Sequence, residues 1–333
     1  MSIPTTMRAL EQTSFDGPQD MRLISDAAVP VPVPGRGEVL IRVTAAGVNF
    51  ADVSKAHGRF RGGPRPPYLA GFEAAGEVVA VGEAVREPAP GALVIGVGDG
   101  AFAEYWVLPA AAAVPVPAGW EAAQALGMVV NWPTALAELR PLGGLVAGET
   151  VLIQAAAGAT GQAAVRMAKH YGATVIAAAS PDKHETVRAL GADHVVNSLE
   201  DGLADEVLRL TGGAGADLVL ESAGGAGLAA SVAAARPVTG RVVVFGLAGG
   251  EAAITNWELV YEHQVHLVGL NIGVLMRSAP DMFGQLMGEM GALIATGVLP
   301  PGQPTAYALA DGPKALAELD SRATVGKLAL LPA

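Results

Sequence analysis

The chain has 333 residues, 51% hydrophobic and 16% charged, with 43 glycines, 23 prolines and no cysteine. So apolar a composition buries a large core, which excludes wholesale disorder, and the length suggests about two domains. The formal net charge of −11 opposes binding to nucleic-acid backbones, and the missing cysteines remove disulfides, thiolate-held metals and thiol nucleophiles.

Residues 1–120 read as short strands and turns. Val39–Thr44, Ala74–Val81 and Leu93–Val97 are β-rich runs punctuated by proline and glycine. The alternating prolines of Val29–Pro34 read as an extended lead-in. From about Leu126 the rhythm changes to alternating strand and helix. Strands are expected at 151–155, 174–179, 194–197, 217–222, 241–246 and 265–270. Helices are expected at 160–171, 183–190, 203–211 and 227–235 between them. Short apolar runs separated by helices are what a parallel sheet covered on both faces requires, and six strands suit a doubly wound dinucleotide fold. A helix at 280–296 and a strand near 327–331 close the chain. The longest uncharged stretch, Met290 to Ala310, holds Pro300, Pro301 and Pro304, so it does not cross a membrane as one helix. With no charged-then-apolar leader either, a cytoplasmic protein with neither membrane nor nucleic-acid partners is expected.

The most informative stretch is VLIQAAAGATG, 151–161, which reads as strand, tight turn and helix start. Gly158 and Gly161 fill the second and third slots of GxGxxG, and Ala156 stands in the first. Small residues there let backbone approach a pyrophosphate and helix pack on strand, while the N–H groups of Ala157, Gly158, Ala159, Thr160 and Gly161 offer an anion site. An NAD enzyme usually has Asp or Glu about 20 residues on, at the tip of the second strand. Here that place holds Ser180, followed by Lys183, and no carboxylate occurs between Gly161 and Asp182. The spacing predicts NADPH, with Ser180 and Lys183 at its 2′-phosphate; Ser180 and Pro181 also suit the start of the next helix.

The chain resembles the zinc-free quinone oxidoreductase branch of the medium-chain dehydrogenase/reductase superfamily. Eight segments carry the resemblance, in order: GEVLIRVTAAGVNFADV (37–53), PYLAGFEAAGEVVAVG (67–82), NWPTAL (131–136), AAAGATGQAAVRMAKHYGATVIAA (155–178), GADHVVNS (191–198), GGAGADLVLESAGG (212–225), GRVVVFG (240–246) and VGKLAL (325–330). It implies an α/β architecture: a GroES-like, β-rich catalytic domain (1–126 with 272–333) and an inserted Rossmann domain (127–271) with a doubly wound parallel sheet. It also implies NADPH as cofactor, a cleft between the domains, and commonly a homodimer. The apolar strand 265–270 at the sheet's end would pair across a two-fold axis. Asn49 and Phe72 stand where zinc-dependent relatives carry Cys and His. The histidines show no close spacing besides His263 and His266, which suit an edge or interface. No metal is expected.

Carried over onto this sequence, the resemblance implies catalytic Asn49 orienting the acceptor, and Asn131 and Thr134 lining the nicotinamide side; their alternative role is capping the helix after Pro133. Gly224, Phe245, Gly246 and Leu247, near Glu221, sit at strand ends where open α/β sheets bind ligands. Asn271 and Lys327 match further cofactor slots. Many relatives place a proton-donating tyrosine where this chain has Phe60, on the substrate side. Reduction of an activated C=C bond needs a proton at the α-carbon, whereas a reduced quinone is protonated by solvent. Phe60 therefore points toward a quinone or similar conjugated carbonyl, with Tyr68 or His57 as substitute donors in the rival enone or enoyl-thioester reductase. A further alternative is a coenzyme-binding protein without turnover.

Overall fold

A computed structural model of the chain describes residues 3–199 and 201–332. The chain divides into two compact units, Met1–Val130 with Pro301–Ala333, and Asn131–Pro300. The second boundary lies beyond the one expected at 271, because helix Pro280–Ala295 packs on helix Asn131–Leu139 of its own unit.

The first unit is built on strand Glu38–Val48. Its apolar Val, Leu and Ile residues bury most of its length, and it pairs antiparallel with Glu73–Val81, Tyr105–Pro109 and Leu328–Leu331. Leu93–Val97, Val114–Pro115 and Thr305–Ala308 complete that sheet. A second sheet orders Met21–Pro30, Thr6–Gln12 and Tyr68–Leu69. Leu10, Ile41, Phe102, Trp106, Leu316 and Leu330 join one buried core. Two helices here were not expected from the sequence, Phe50–Ala56 and Gly312–Asp320, and they pack on each other. The first is only seven residues long, too short for helical periodicity to register. Its start is fixed locally by Asp52, whose Oδ2 accepts the N–H of Asn49 at 2.9 Å.

The second unit holds a six-stranded parallel sheet in the spatial order His194–Asn197, Thr174–Ala179, Thr150–Ile153, Leu218–Glu221, Arg241–Val244, His266–Gly269. In sequence this is the 3-2-1-4-5-6 order of a doubly wound dinucleotide fold. Helices Ala159–His170, His184–Ala189, Leu203–Leu210 and Ala226–Ala234 supply the crossovers. The central strands are buried almost throughout, as their unbroken Val, Leu, Ile and Ala runs require. Leu152, Ile176, Val219 and Val242 meet helix residues such as Val207 and Val232 in one core. Segment 256–263 forms a helical turn, wide-wound from Glu258 to His263, and helix Ile272–Ser278 follows the last strand.

Candidate active site

In the second unit the chain leaves strand Thr150–Ile153, turns through Ala155 at φ +47°, and enters helix Ala159–His170 at Gly158. A Cβ on Gly161 would lie 2.4 Å from Ala155 O and 2.6 Å from Ala156 Cα, so only glycine lets the helix start this close to the strand. A Cβ on Gly158 would meet only Ala155 O, at 3.3 Å; the smallness of Gly158 is not demanded by the fold alone. No side chain caps this helix, so its first N–H groups and its positive end remain available to an anion. The loop fits a pyrophosphate.

The other expected residues of this unit gather at the same end of the sheet. Asn131 Nδ2 donates to Thr160 Oγ1 at 3.1 Å, which ties helix Asn131–Leu139 to the loop. That helix begins at Asn131, so Thr134 lies inside it, buried, and does not cap it. Gly224, at φ +64°, and Gly246 flank the tips of strands Leu218–Glu221 and Arg241–Val244, and a Cβ on either would strike backbone at 2.4 and 2.6 Å. Phe245 is half-buried and Leu247 exposed. Glu221 is buried, with Oε1 accepting N–H from Ala223 and Gly224 at 2.8 Å each; burial lifts its pKa. At the tip of Thr174–Ala179, Ser180 opens a turn in which the Lys183 N–H reaches Ser180 O at 2.9 Å. The Ser180 hydroxyl bonds Asp182 and, with backbone and nearby cations, holds that carboxyl below its ordinary range. Lys183 is buried, at 8% exposure. Asn271 caps helix Ile272–Ser278, its Oδ1 accepting the Val274 N–H at 3.0 Å.

In the first unit the centre is a carboxylate, Glu73, to which the sequence alone assigns no partner. Glu73 is fully buried. Its Oε2 takes bonds from Lys327 Nζ at 2.6 Å and Asn49 Nδ2 at 2.8 Å, and its Oε1 takes the Gly127 N–H at 2.6 Å. Lys327 also donates to Asn49 Oδ1 at 2.7 Å. Gly47 makes the room, since a Cβ there would sit 2.6 Å from Glu73 Oε2. The structure thus unites Asn49 and Lys327, as separate expectations from the sequence had not, and it engages both ends of the Asn49 amide. Tyr68, half-buried, shares a small pocket with Asp52, Lys55 and Asp99. His57 is bonded to Asp320 at 2.8 Å. Phe60 is exposed, with Lys55 Nζ 5.7 Å from its ring centre.

A zinc ion does not fit this donor set. The Asn49 amide is held by Glu73 and Lys327, Phe72 offers no lone pair, and among the described residues no three His, Cys, Asp or Glu side chains come together as ligands.

A 3-2-1-4-5-6 parallel sheet with a glycine-shaped turn before its first helix has the form of a dinucleotide-binding unit. Residues 35–118 match the alcohol dehydrogenase GroES-like domain and residues 159–290 the zinc-binding dehydrogenase family. The chain belongs to the medium-chain dehydrogenase/reductase superfamily. It is 26% identical to the quinone oxidoreductase of Escherichia coli solved with NADPH, with a TM-score of 0.90, covering 98% of this chain and 100% of that one. The CurK enoyl reductase is 29% identical at a TM-score of 0.86, covering 98% and 99%. Erythronolide synthase EryA2 of Saccharopolyspora erythraea is 38% identical over 296 residues, which are 88% of this chain and 8% of that protein. The chain spans only a small fraction of the polyketide synthases it matches, 7% to 15% of their length.

Proposed function

We propose that this protein reduces a conjugated carbonyl acceptor with NADPH and without a metal ion. NADPH, when bound, supplies the hydride. The observation that carries the reading is the closed bonding of Asn49 beside a donorless Phe72. With the Asn49 and Lys327 donors engaged by Glu73 and by each other, the localised alkoxide of a simple ketone is poorly served, which favours an acceptor that delocalises its own negative charge, as a quinone or an α,β-unsaturated carbonyl does. Gly158 and Gly161 seat the pyrophosphate at the helix start, and Ser180 and Lys183 bind the 2′-phosphate. Asn131, Thr134, Gly224, Phe245, Gly246, Leu247 and Asn271 line the coenzyme. The Lys327–Glu73 pair holds the Asn49 amide in one orientation, so Lys327 acts here through Asn49.

Phe60 in place of a phenol favours a quinone. A second reading, reduction of an enone or enoyl thioester, is favoured by Tyr68: of the two substitute donors, His57 is committed to Asp320, whereas Tyr68 lines a small pocket with Asp52, Lys55 and Asp99. Steady-state oxidation of NADPH against quinones, cyclic enones and simple ketones tests the proposal. Turnover with conjugated acceptors and none with saturated ketones is expected; efficient ketone reduction would overturn it.

A further inference from the structure

Asp52 occupies the first turn of helix Phe50–Ala56 and is 4% exposed. Its Oδ2 accepts the Asn49 N–H, which is all that capping the helix requires, and its Oδ1 has no hydrogen-bond partner among the described residues. A buried oxygen left unsatisfied is costly unless something else occupies it. The same carboxyl lines the small pocket that holds Lys55, Tyr68 and Asp99, walled by Met21 and Leu69. Asp99 is largely exposed and its Oδ1 accepts from Lys55 Nζ at 2.9 Å, so this ion pair forms the solvent end of the pocket. Lys55 Nζ also lies 4.8 Å from the centre of the Phe72 ring.

Burial favours a proton on the inner carboxyl. Burial lifts Asp52 to about 7 against the Asn49 N–H, Lys55 and Lys327, with Glu73 adding to the rise. Burial, then Asp52 and Asp99, hold the Tyr68 phenol at about 12. Helix Gly312–Asp320, packed on the Asp52 helix, has its charges engaged elsewhere: Asp320 with His57, Glu318 with Tyr307 and Lys314.

We propose that Asp52 is the proton store behind Tyr68 in the reduction of a conjugated C=C bond. This deepens the second reading above and rests on it. Hydride addition at the β-carbon leaves an enolate. The Tyr68 O–H bond then breaks as the α-carbon–hydrogen bond forms. The tyrosinate takes the carboxyl proton of Asp52, directly or through water in the pocket, and Asp52 regains one from solvent past Asp99 and Lys55. One proton is consumed per turnover, and no oxidant or reductant beyond the hydride donor is needed. Asp52 acts through Tyr68 and is a positioning residue.

Two measurements on wild type and Asp52→Asn test this; the asparagine keeps an acceptor for the Asn49 N–H. Infrared difference spectra of the coenzyme-free protein should show a protonated carboxyl that titrates near neutrality in the wild type and is absent from the variant. With NADPH and a cyclic enone, kcat in the wild type should fall above neutrality. In the variant that pH dependence should vanish and kcat should drop about tenfold or more, a larger loss than with a quinone. A carboxyl that is ionised at pH 6, an unaltered enone pH profile in the variant, or quinone turnover with none on enones would overturn the store. Absence of NADPH oxidation with every acceptor would instead overturn the functional reading, and the infrared result would still report on Asp52.

Discussion

Lys327 Nζ lies 2.6 Å from Glu73 Oε2, joining the last strand to the strand 73–81 across 254 residues of sequence. Both side chains are withdrawn from water, at 9% and 0% exposure. Such a pair contributes little net stability but leaves a costly buried charge when one partner is removed. Lys327→Met should therefore cost about 3–5 kcal/mol in urea unfolding, and Lys327→Met with Glu73→Gln should recover much of it. Equal losses in the single and double variants would show that the pair does not organise this part of the unit. Either change also frees the Asn49 amide, so kcat should fall even where the fold survives.

The two loop glycines separate fold from ligand. Gly161→Ala puts a Cβ 2.4 Å from a backbone oxygen, and the helix must shift at a cost of about 1–3 kcal/mol. Gly158→Ala meets one atom at 3.3 Å and should fold with nearly unchanged Tm, while its methyl crowds the pyrophosphate and weakens NADPH binding at least about tenfold. Calorimetric titration of both variants checks this. Unaltered NADPH affinity in Gly158→Ala would remove the phosphate from this loop.

The contrast between those glycines and Glu73 marks what the sequence makes legible. The phosphate loop is contiguous, and its strand, turn and helix succeed one another with the right periods, so the second unit and its strand order follow from local pattern. Glu73 stands in an apolar strand run, a local sign of burial, but its partners Asn49, Gly127 and Lys327 are distant in sequence and no spacing links them. Asp52 could have been found from the Asn-x-x-Asp of 49–52, which is a capping signature, although nothing local reveals its unpartnered oxygen. The helix Gly312–Asp320 is hard to see in the sequence because a Gly-Pro pair, such as opens it, is a turn signal. Pro is in fact well suited to a first helical turn.

In the proposed reading, coenzyme choice rests on Ser180 and Lys183. A charge-assisted bond to a phosphate is worth about 1.5–3 kcal/mol, so removing the ammonium should lower the preference for NADPH over NADH roughly tenfold to a hundredfold. Because Lys183 is buried, Lys183→Met is the better probe; it keeps the packing and deletes the charge. The ratio of kcat/KM for the two coenzymes gives the result, and an unchanged ratio would place the 2′-phosphate elsewhere.

Strand His266–Gly269 ends the six-stranded sheet, and three of its four residues are exposed. Beside it in sequence, Trp257 and Tyr261 stack at 4.6 Å while remaining 61% and 71% exposed. An apolar open edge of this kind invites pairing, and a homodimer formed across a two-fold axis would cover it. Light scattering should give twice the chain mass. Leu267→Lys, which places a charge on the edge, should shift the protein toward monomer; a monomeric wild type would refute the dimer.

Glu138 provides a pH signature in the second unit. It lies in helix Asn131–Leu139, fully buried, and neither carboxyl oxygen has a hydrogen-bond partner among the described residues. Burial lifts its pKa well above the ordinary 4.5. The folded chain then holds a proton that the unfolded chain releases, so stability is full below about pH 4.5 and declines as pH rises toward the elevated folded value. Glu138→Met should stabilise the protein by about 1–3 kcal/mol. The difference from wild type in urea unfolding should be larger at pH 8 than at pH 5, because only the wild type loses stability over that interval at this site. Glu138→Gln removes the titration while keeping a polar head, so its advantage over wild type should also grow with pH. A wild-type deficit that stays constant between the two pH values would mean that Glu138 remains ionised in the fold.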